Sequence, residues 1–472
     1  MRESSPADPT PWKRIPIFAA VGFRLALFAF SSLPDALENR IELSTPLTSL
    51  RRLKEGVYLH QHGLNPYEGS TFHHSPLYLA VFNTVIDSSP RVATALLWTL
   101  TDFVAAKALQ SIWRARKLRE RQSSSNRGRK WLRDGWQYHI MTLYLFNPYT
   151  IATCLARSTT SIDTALTFLS IAHAAQGRAA LAMFFLSLAT HTQLYPLLLV
   201  APICLVLLLS ADHSMSKARI HAGPENYYAI ASWTAMFLAF MALHYGLGFI
   251  TVGSNDFVRQ TWGTILTVSD LTPNVGLSWY FFTEMFDHFR TFFTGIFQLH
   301  ILVYVAPICI RLRHQPLMAT VILSGVISIF KSYPTLGDSV VWLGLLGCFP
   351  DIWDSLRHPL LTAALFLYSS LLLPILLELW LVSATGNANF MYAATMVHSL
   401  GCGLGVLDML GAALRNEVAE RTCLLLDAED QEKIHLSGDT LKLKGGPSEL
   451  KNAKSILENR NLIVVQYTTL DD

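Results

Sequence analysis

The sequence predicts an all-α protein that crosses a membrane many times. Charged residues make up only 15% of its 472 positions, whereas soluble domains run near a quarter. Hydrophobic residues account for 51%, and the mean hydropathy is +0.32. The apolar stretches are long and lack the alternation of barrel strands. Helices are then the way to satisfy every backbone group in lipid.

A crossing needs about 20 mostly apolar residues. On that measure about twelve runs are expected: 16–33, 91–112, 138–156, 160–176, 179–192, 194–210, 228–250, 288–310, 317–333, 336–352, 359–382 and 390–412. The first follows Lys13 and Arg14 and reads "IPIFAAVGFRLALFAFSSL". Arg24 interrupts its apolar centre and no small-residue cleavage site follows, so an uncleaved span is expected rather than a signal peptide. No C-terminal retrieval or lipidation motif is visible. Between 179 and 210 the chain reads either as two short helices meeting at 191–193 or as one bent helix. Pro196 and Pro202 make a break there reasonable.

Basic residues between spans set the expected orientation. The densest cluster is "WRARKLRERQSSSNRGRKWLRD", in a connection spanning 113–136, followed by Lys217 with Arg219 and Arg311 with Arg313. With residues 1–15 in the cytosol and twelve crossings, all of these face the cytosol. Arg51, Arg52 and Lys54 run against the rule. The lumenal loops are then 34–90, 251–287 and 383–389, and the transmembrane domain covers 16–412. From Ser44 to His60 helical apolar spacing with basic residues opposite predicts an amphipathic helix in the membrane interface. Residues 413–472 are expected to be a polar, loosely structured cytosolic tail.

Several function classes fall away. A net charge of +3 is too small to argue for nucleic acid. Five of the six cysteines (Cys154, Cys204, Cys309, Cys348, Cys402 and Cys423) lie in apolar stretches and read as small buried hydrophobes. His73 and His74 are adjacent but lack a second ligand pair, so no metal is expected, and no cofactor motif occurs. Nucleophile elbows and zinc-protease helix motifs are also missing.

Three polar stretches are the candidates for function. In "SDLTPNVGLSWYFFTEMFDHFRTFF" (269–293), Asp270, Asn274, Glu284, Asp287 and His288 sit among aromatics that include Trp279. Helical spacing would put Glu284, Asp287 and His288 on one turn at the membrane surface. A plain interfacial loop with acids at a helix start is the simpler reading of this stretch taken alone. In "FKSYPTLGD" (330–338), Lys331 and Asp338 bracket a turn containing Tyr333. Lys331 would pair with a phosphate or a carboxylate, or snorkel outward. In "ATGNANFMYAAT" (384–395), Asn387 and Asn389, followed by Phe390, either cap a helix or offer paired donors and acceptors to a sugar or phosphate.

These motifs, with "LYLFNPYTI" (143–151), "LATHTQLYPL" (188–197) and "GLNPYEGSTFHHSPL" (63–77), resemble the PIG-U family over about residues 17 to 412. The resemblance implies a membrane subunit of the glycosylphosphatidylinositol (GPI) transamidase in the endoplasmic reticulum. It implies partners as well: a cysteine-protease-like catalytic subunit, the remaining membrane and lumenal subunits, and the GPI lipid. It further implies a fold similar to the GT-C glycosyltransferases, no catalytic residues of its own, and contact of Asn387 and Asn389 with the GPI head. A GPI receptor needs an apolar groove capped by aromatic and polar groups, with carboxylates such as Glu284 for ethanolamine ammonium groups and Lys331 for phosphate.

Two rival readings remain. A GT-C mannosyltransferase using dolichol-phosphate-mannose would carry paired acids in the first lumenal loop. Asp35, Glu38 and Glu42 stand there, but no Asp-x-Asp pair does. A lipid transporter or scramblase would show internal repeats, and none is visible between the halves.

Overall fold

Apolar runs, and prolines that open them, set the helices. The computed structural model describes residues 14–88, 90–122, 135–211 and 224–436, and no strand occurs among them. The chain begins with α1 (Ile15–Phe30), α2 (Leu33–Glu38), α3 (Leu50–Gln61), α4 (Pro76–Ser88) and the long α5 (Pro90–Gln122). Next come α6 (Trp136–Leu145), α7 (Pro148–Leu155), α8 (Thr160–Ala175), α9 (Ala179–Gln193), α10 (Val200–Ala211) and α11 (Pro224–Val252). Two short pieces, α12 (Asp256–Val258) and α13 (Thr264–Thr267), lead to α14 (Ser278–Glu284), α15 (Asp287–Val303) and α16 (Val305–Arg311). The rest is α17 (Pro316–Phe330), α18 (Ser339–Leu346), α19 (Pro350–Trp353), α20 (Pro359–Leu381) and α21 (Ala388–Leu436). Pro76, Pro90, Pro148, Pro224, Pro316, Pro350 and Pro359 each stand first in a helix, where their missing N–H costs nothing.

The chain divides into two compact units, Met1–Asp351 with His358–Leu407, and Ile352–Arg357 with Asp408–Asp472. In the second, both carboxylate oxygens of Asp408 accept from the Arg357 N–H at 2.9 Å, and one lies 3.7 Å from Arg415. In the first unit α8 packs closely on α5 and α9, and α9 on α11. Buried alanines line these contacts, among them Ala105, Ala172, Ala182 and Ala189, and let the helix backbones approach. A buried ion pair, Arg24 to Asp102 at 3.0 Å, ties α1 to α5 and explains the arginine that interrupts the first apolar run.

Contacts among the connections sort them into two sets. Arg157 reaches Asp35 and Glu38, Thr159 N–H donates to Thr48, and Leu336 N–H donates to the Glu42 carbonyl. Arg52 holds Asp270, and Tyr280 holds Asn389. Those contacts gather parts of 31–75, 157–159, 253–285, 331–338 and 383–389. Arg116 binds Asp351 and the Cys348 carbonyl, Arg119 binds the Ala175 carbonyl and Ser210, and Trp136 donates to Gly347. These define the other set.

Each expected run overlaps helix, but five helical segments are long and apolar enough to cross a membrane: Arg91–Arg119, Pro224–Val252, Asp287–Arg311, Pro359–Leu381 and Ala388–Ala419. Shorter apolar helices fill several other runs. The run 138–156 breaks at Asn147, whose side chain accepts from Tyr149 N–H and caps α7. The stretch 179–210 is two helices, not one. Leu194 separates them at φ 64°, followed by a 3-10 turn at Tyr195–Leu199.

Three expectations need correction. The amphipathic helix begins at Leu50, not Ser44, and Leu50, Leu53 and Val57 bury their apolar face against Tyr67, Phe72, Tyr78 and Leu79. Its partner on that face is protein, because the loop folds back over it. The tail is not loose from its start, since α21 continues to Leu436 through residues with good helix propensity. Residues 437–472 lie outside the described residues. Glu284 shares no helix with Asp287 and His288: Met285 and Phe286 are extended and split α14 from α15.

Candidate functional site

The polar stretches 269–285 and 330–338 turn out to be packed on each other. Asp270 is the joint. Its Oδ2 accepts from Arg52 at 2.9 Å, His73 Nε2 lies 3.6 Å from the same oxygen, and Oδ1 accepts from the Thr272 N–H. Its own N–H donates to the Tyr333 hydroxyl at 3.1 Å. Burial would raise the Asp270 carboxyl, but His73, Thr272 and Arg52 outweigh it and hold it well below the usual carboxylate range. Burial and the Asp270 charge push the Tyr333 phenol up, so it stays neutral.

Asn274 is buried and closes a local turn. Its Oδ1 accepts from Gly276 N–H at 2.7 Å and its Nδ2 donates to the Thr272 carbonyl. A Cβ on Gly276 would stand 2.6 Å from Pro334 Cδ, so only glycine allows this contact. Ser278 Oγ donates to the Ser332 carbonyl across the same seam. Lys331 Nζ donates to Asp338 Oδ1 at 2.6 Å, both side chains are buried, and Asp338 Oδ2 also accepts from Thr335. These five candidates, Asp270, Asn274, Lys331, Tyr333 and Asp338, form an internal frame.

On that frame stands an aromatic wall. Trp279 is 2% exposed and stacks on Trp380 with ring centres 6.0 Å apart. Its Nε1 is enclosed without a hydrogen-bond partner among the described residues. Tyr280 lies 4.7 Å from Tyr392, and its hydroxyl donates to Asn389 Oδ1. Tyr392 in turn donates to the Leu277 carbonyl. Asn387 Oδ1 accepts from the Phe390 N–H at 3.3 Å and so caps the start of α21. Phe390 projects outward at 58% exposure, and Glu284, Asp287 and His288 are exposed along α14 and α15.

The structure therefore joins Trp279 to Asn389 and Phe390 through Tyr280. It leaves His288 on a separate helix. Trp380 and Tyr392 escaped sequence reasoning, although a tryptophan closing an apolar run is an interface signal. Arg52 and His73, which steady Asp270 from 218 and 197 residues away in sequence by subtraction of their numbers, carried no such signal.

Residues 18–398 match the model of the family described as GPI transamidase subunit PIG-U. The chain belongs to the PIG-U family. The match takes in every candidate residue of the PIG-U frame and wall. The GPI-anchor transamidase component PIGU of Homo sapiens is 35% identical over 430 residues, covering 88% of this chain and 96% of the relative. The GPI transamidase component GAB1 of Saccharomyces cerevisiae is 32% identical over 402 residues, covering 84% and 93%. The GAB1 homolog of Schizosaccharomyces pombe is 33% identical over 386 residues, covering 80% and 88%. The PIG-U resemblance read from the motifs is thus a relationship along nearly the whole chain.

Proposed function

We propose that this chain is a subunit of the GPI transamidase in the endoplasmic reticulum membrane, and that it holds the GPI lipid while another subunit makes the new bond. The supporting observation is the wall of Trp279, Tyr280, Trp380 and Tyr392, edged by Asn389 and Phe390 and set on a rigid polar frame. Such a surface offers ring faces to acyl chains and sugars, and hydrogen-bonding groups to glycan hydroxyls. Glu284, Asp287 and His288 supply an exposed polar margin for ethanolamine phosphates. In this reading Asn387, Asn389 and Phe390 touch the lipid, and the buried Trp279 backs the wall from behind. Asp270, Asn274, Lys331, Tyr333 and Asp338 only brace it, since Lys331 already has Asp338 as its counter-ion.

The two sets of connections support twelve passes, and the family resemblance supports a GT-C-like arrangement of them. Successive helices alternate between the sets if α6 with α7, and α15 with α16, each count as one broken crossing. The acids a mannosyltransferase would need are engaged elsewhere. Asp35 and Glu38 pair with Arg157, Glu38 also with Lys54, and Glu42 with Arg40.

Replacing Asn387 and Asn389 with Leu is expected to lower GPI transfer about tenfold while the complex still assembles, the equivalent of roughly 1.4 kcal/mol of lost binding. Transfer at the wild-type rate would remove the pair from the site. Depletion of the protein is expected to leave complete GPI and uncleaved precursors; an under-mannosylated lipid would favour the mannosyltransferase reading.

A further inference from the structure

A second polar site, sharing no residue with the aromatic wall, lies at the N-terminal end of α1. A cavity of about 250 Å³ opens there between α1, α5 and α6. Arg14, Lys107 and Arg114 line it, and no Asp or Glu is among the described residues that do. Lys107 belongs to one of the five helices fit to cross a membrane, where an ammonium without a counter-ion is costly. Its hydrogen bond goes to the neutral Gln110 Oε1 at 3.3 Å, and its ammonium lies 5.6 Å from the Phe103 ring. Arg114 Nε likewise donates to a neutral group, Gln137 Oε1, at 2.8 Å.

Gln110 supplies an independent observation. It is 3% exposed, lines the cavity, and its Nε2 has no hydrogen-bond partner among the described residues. An enclosed amide donor left unmade is unfavourable, so an acceptor is expected in the cavity. The lining also includes apolar groups: Ile17, Phe103 and Phe18, the last 67% exposed to the surroundings. Two cations paired only with neutral amides, and a spare donor, around a cavity with apolar lining match an anionic phosphate attached to or accompanied by apolar chains.

We propose that this cavity binds a phosphate group, with Lys107 and Arg114 as its cations and Gln110 as a neutral donor. The apolar lining favours the head of an anionic membrane lipid, and inorganic phosphate shares the same binding groups. The site is separate from the GPI wall and stands whether or not that wall binds GPI.

The test uses the full-length protein in nanodiscs of phosphatidylcholine with a minor share of phosphatidic acid, read by native mass spectrometry. Retained phosphatidic acid is expected to exceed its share of the disc about tenfold, and Lys107→Met with Arg114→Met should abolish the excess. Lys107→Arg should keep it, and Gln110→Leu, which removes no charge, should cut it severalfold. These two variants decide the matter if the double variant does not fold. A parallel arm adds inorganic phosphate and follows thermal unfolding. Stabilisation without lipid enrichment, lost in the same variants, assigns the site to soluble phosphate and supports it. Neither enrichment nor stabilisation, or enrichment indifferent to the substitutions, overturns it.

Discussion

His74 enters the fold without its proton. It is buried in the first loop, where Nε2 donates to the Ser49 carbonyl at 2.9 Å and its own carbonyl accepts from the Tyr67 hydroxyl at 2.7 Å. Burial is the main reason its imidazole falls to about 3. The Ser49 bond opposes that shift, and the charges of His73 and Arg52 add to it. In the unfolded chain it would titrate near 6.5. Between about pH 6.5 and 3 the unfolded state therefore carries a proton that the folded state refuses, and stability drops on acidification. The contribution is complete above about pH 6.5, and the slope below it is at most about 1.4 kcal/mol per pH unit. Asp270 has the same sign in a lower window: its carboxylate stabilises the fold above about pH 4 and is lost only beneath that. His74→Gln is expected to flatten the loss of unfolding midpoint between about pH 6.5 and 4.5 in detergent. Parallel curves for wild type and variant would exclude His74 as the responsive group. At this scale the sequence was half legible. It marked the pair His73 and His74, but burial and the reach of Arg52 to Asp270 depend on a tertiary fold that adjacency does not encode.

Helices were more legible than the faces they bury. Apolar runs located α1, α8, α9, α11, α17 and α20 to within a few residues, because hydrophobic length acts locally. The side on which α3 finds its partner was hidden, since an amphipathic stripe looks alike whether lipid or protein covers it. The same limit hid the split between α14 and α15, where spacing alone ran through two extended residues. Gly56 distinguishes the two environments of α3. On a helix facing lipid, Gly56→Ala would stabilise by about 1 kcal/mol through backbone propensity. Here the added Cβ would stand 2.2 Å from the Phe72 ring, which is buried among Tyr67 and His74 and has little room to yield. The expected outcome is destabilisation by about 1–3 kcal/mol, measured as a lower unfolding midpoint in detergent. A raised midpoint would return α3 to the membrane surface.

Orientation belongs to the molecule as a whole, and here two lines of reasoning meet. Charge counting placed the basic connection 113–136 in the cytosol but met Arg51, Arg52 and Lys54 on the opposite side. The fold accounts for two of these three: Arg52 pairs with Asp270 and Lys54 with Glu38, so each carries a compensating carboxylate. Independently, groups that touch must share a side of a membrane. Arg52 to Asp270, His73 to the Gln260 carbonyl, Asn65 to Asp256 and Tyr280 to Asn389 therefore commit the first loop, the 253–285 segment and the start of α21 to one side. Arg116 to Asp351 commits the end of α5 to the other, because α5 starts beside the first loop, where Arg91 meets Asp35, and is long enough to cross. An acceptor for N-glycosylation placed after Gly63 is expected to be glycosylated in cells, as is one placed after Gly253. An acceptor placed after Ser124 is expected to stay bare. Glycan at Gly63 without glycan at Gly253 would contradict the contacts themselves. Glycan at Ser124 alone would keep the contacts and invert the protein, placing the aromatic wall on the cytosolic face.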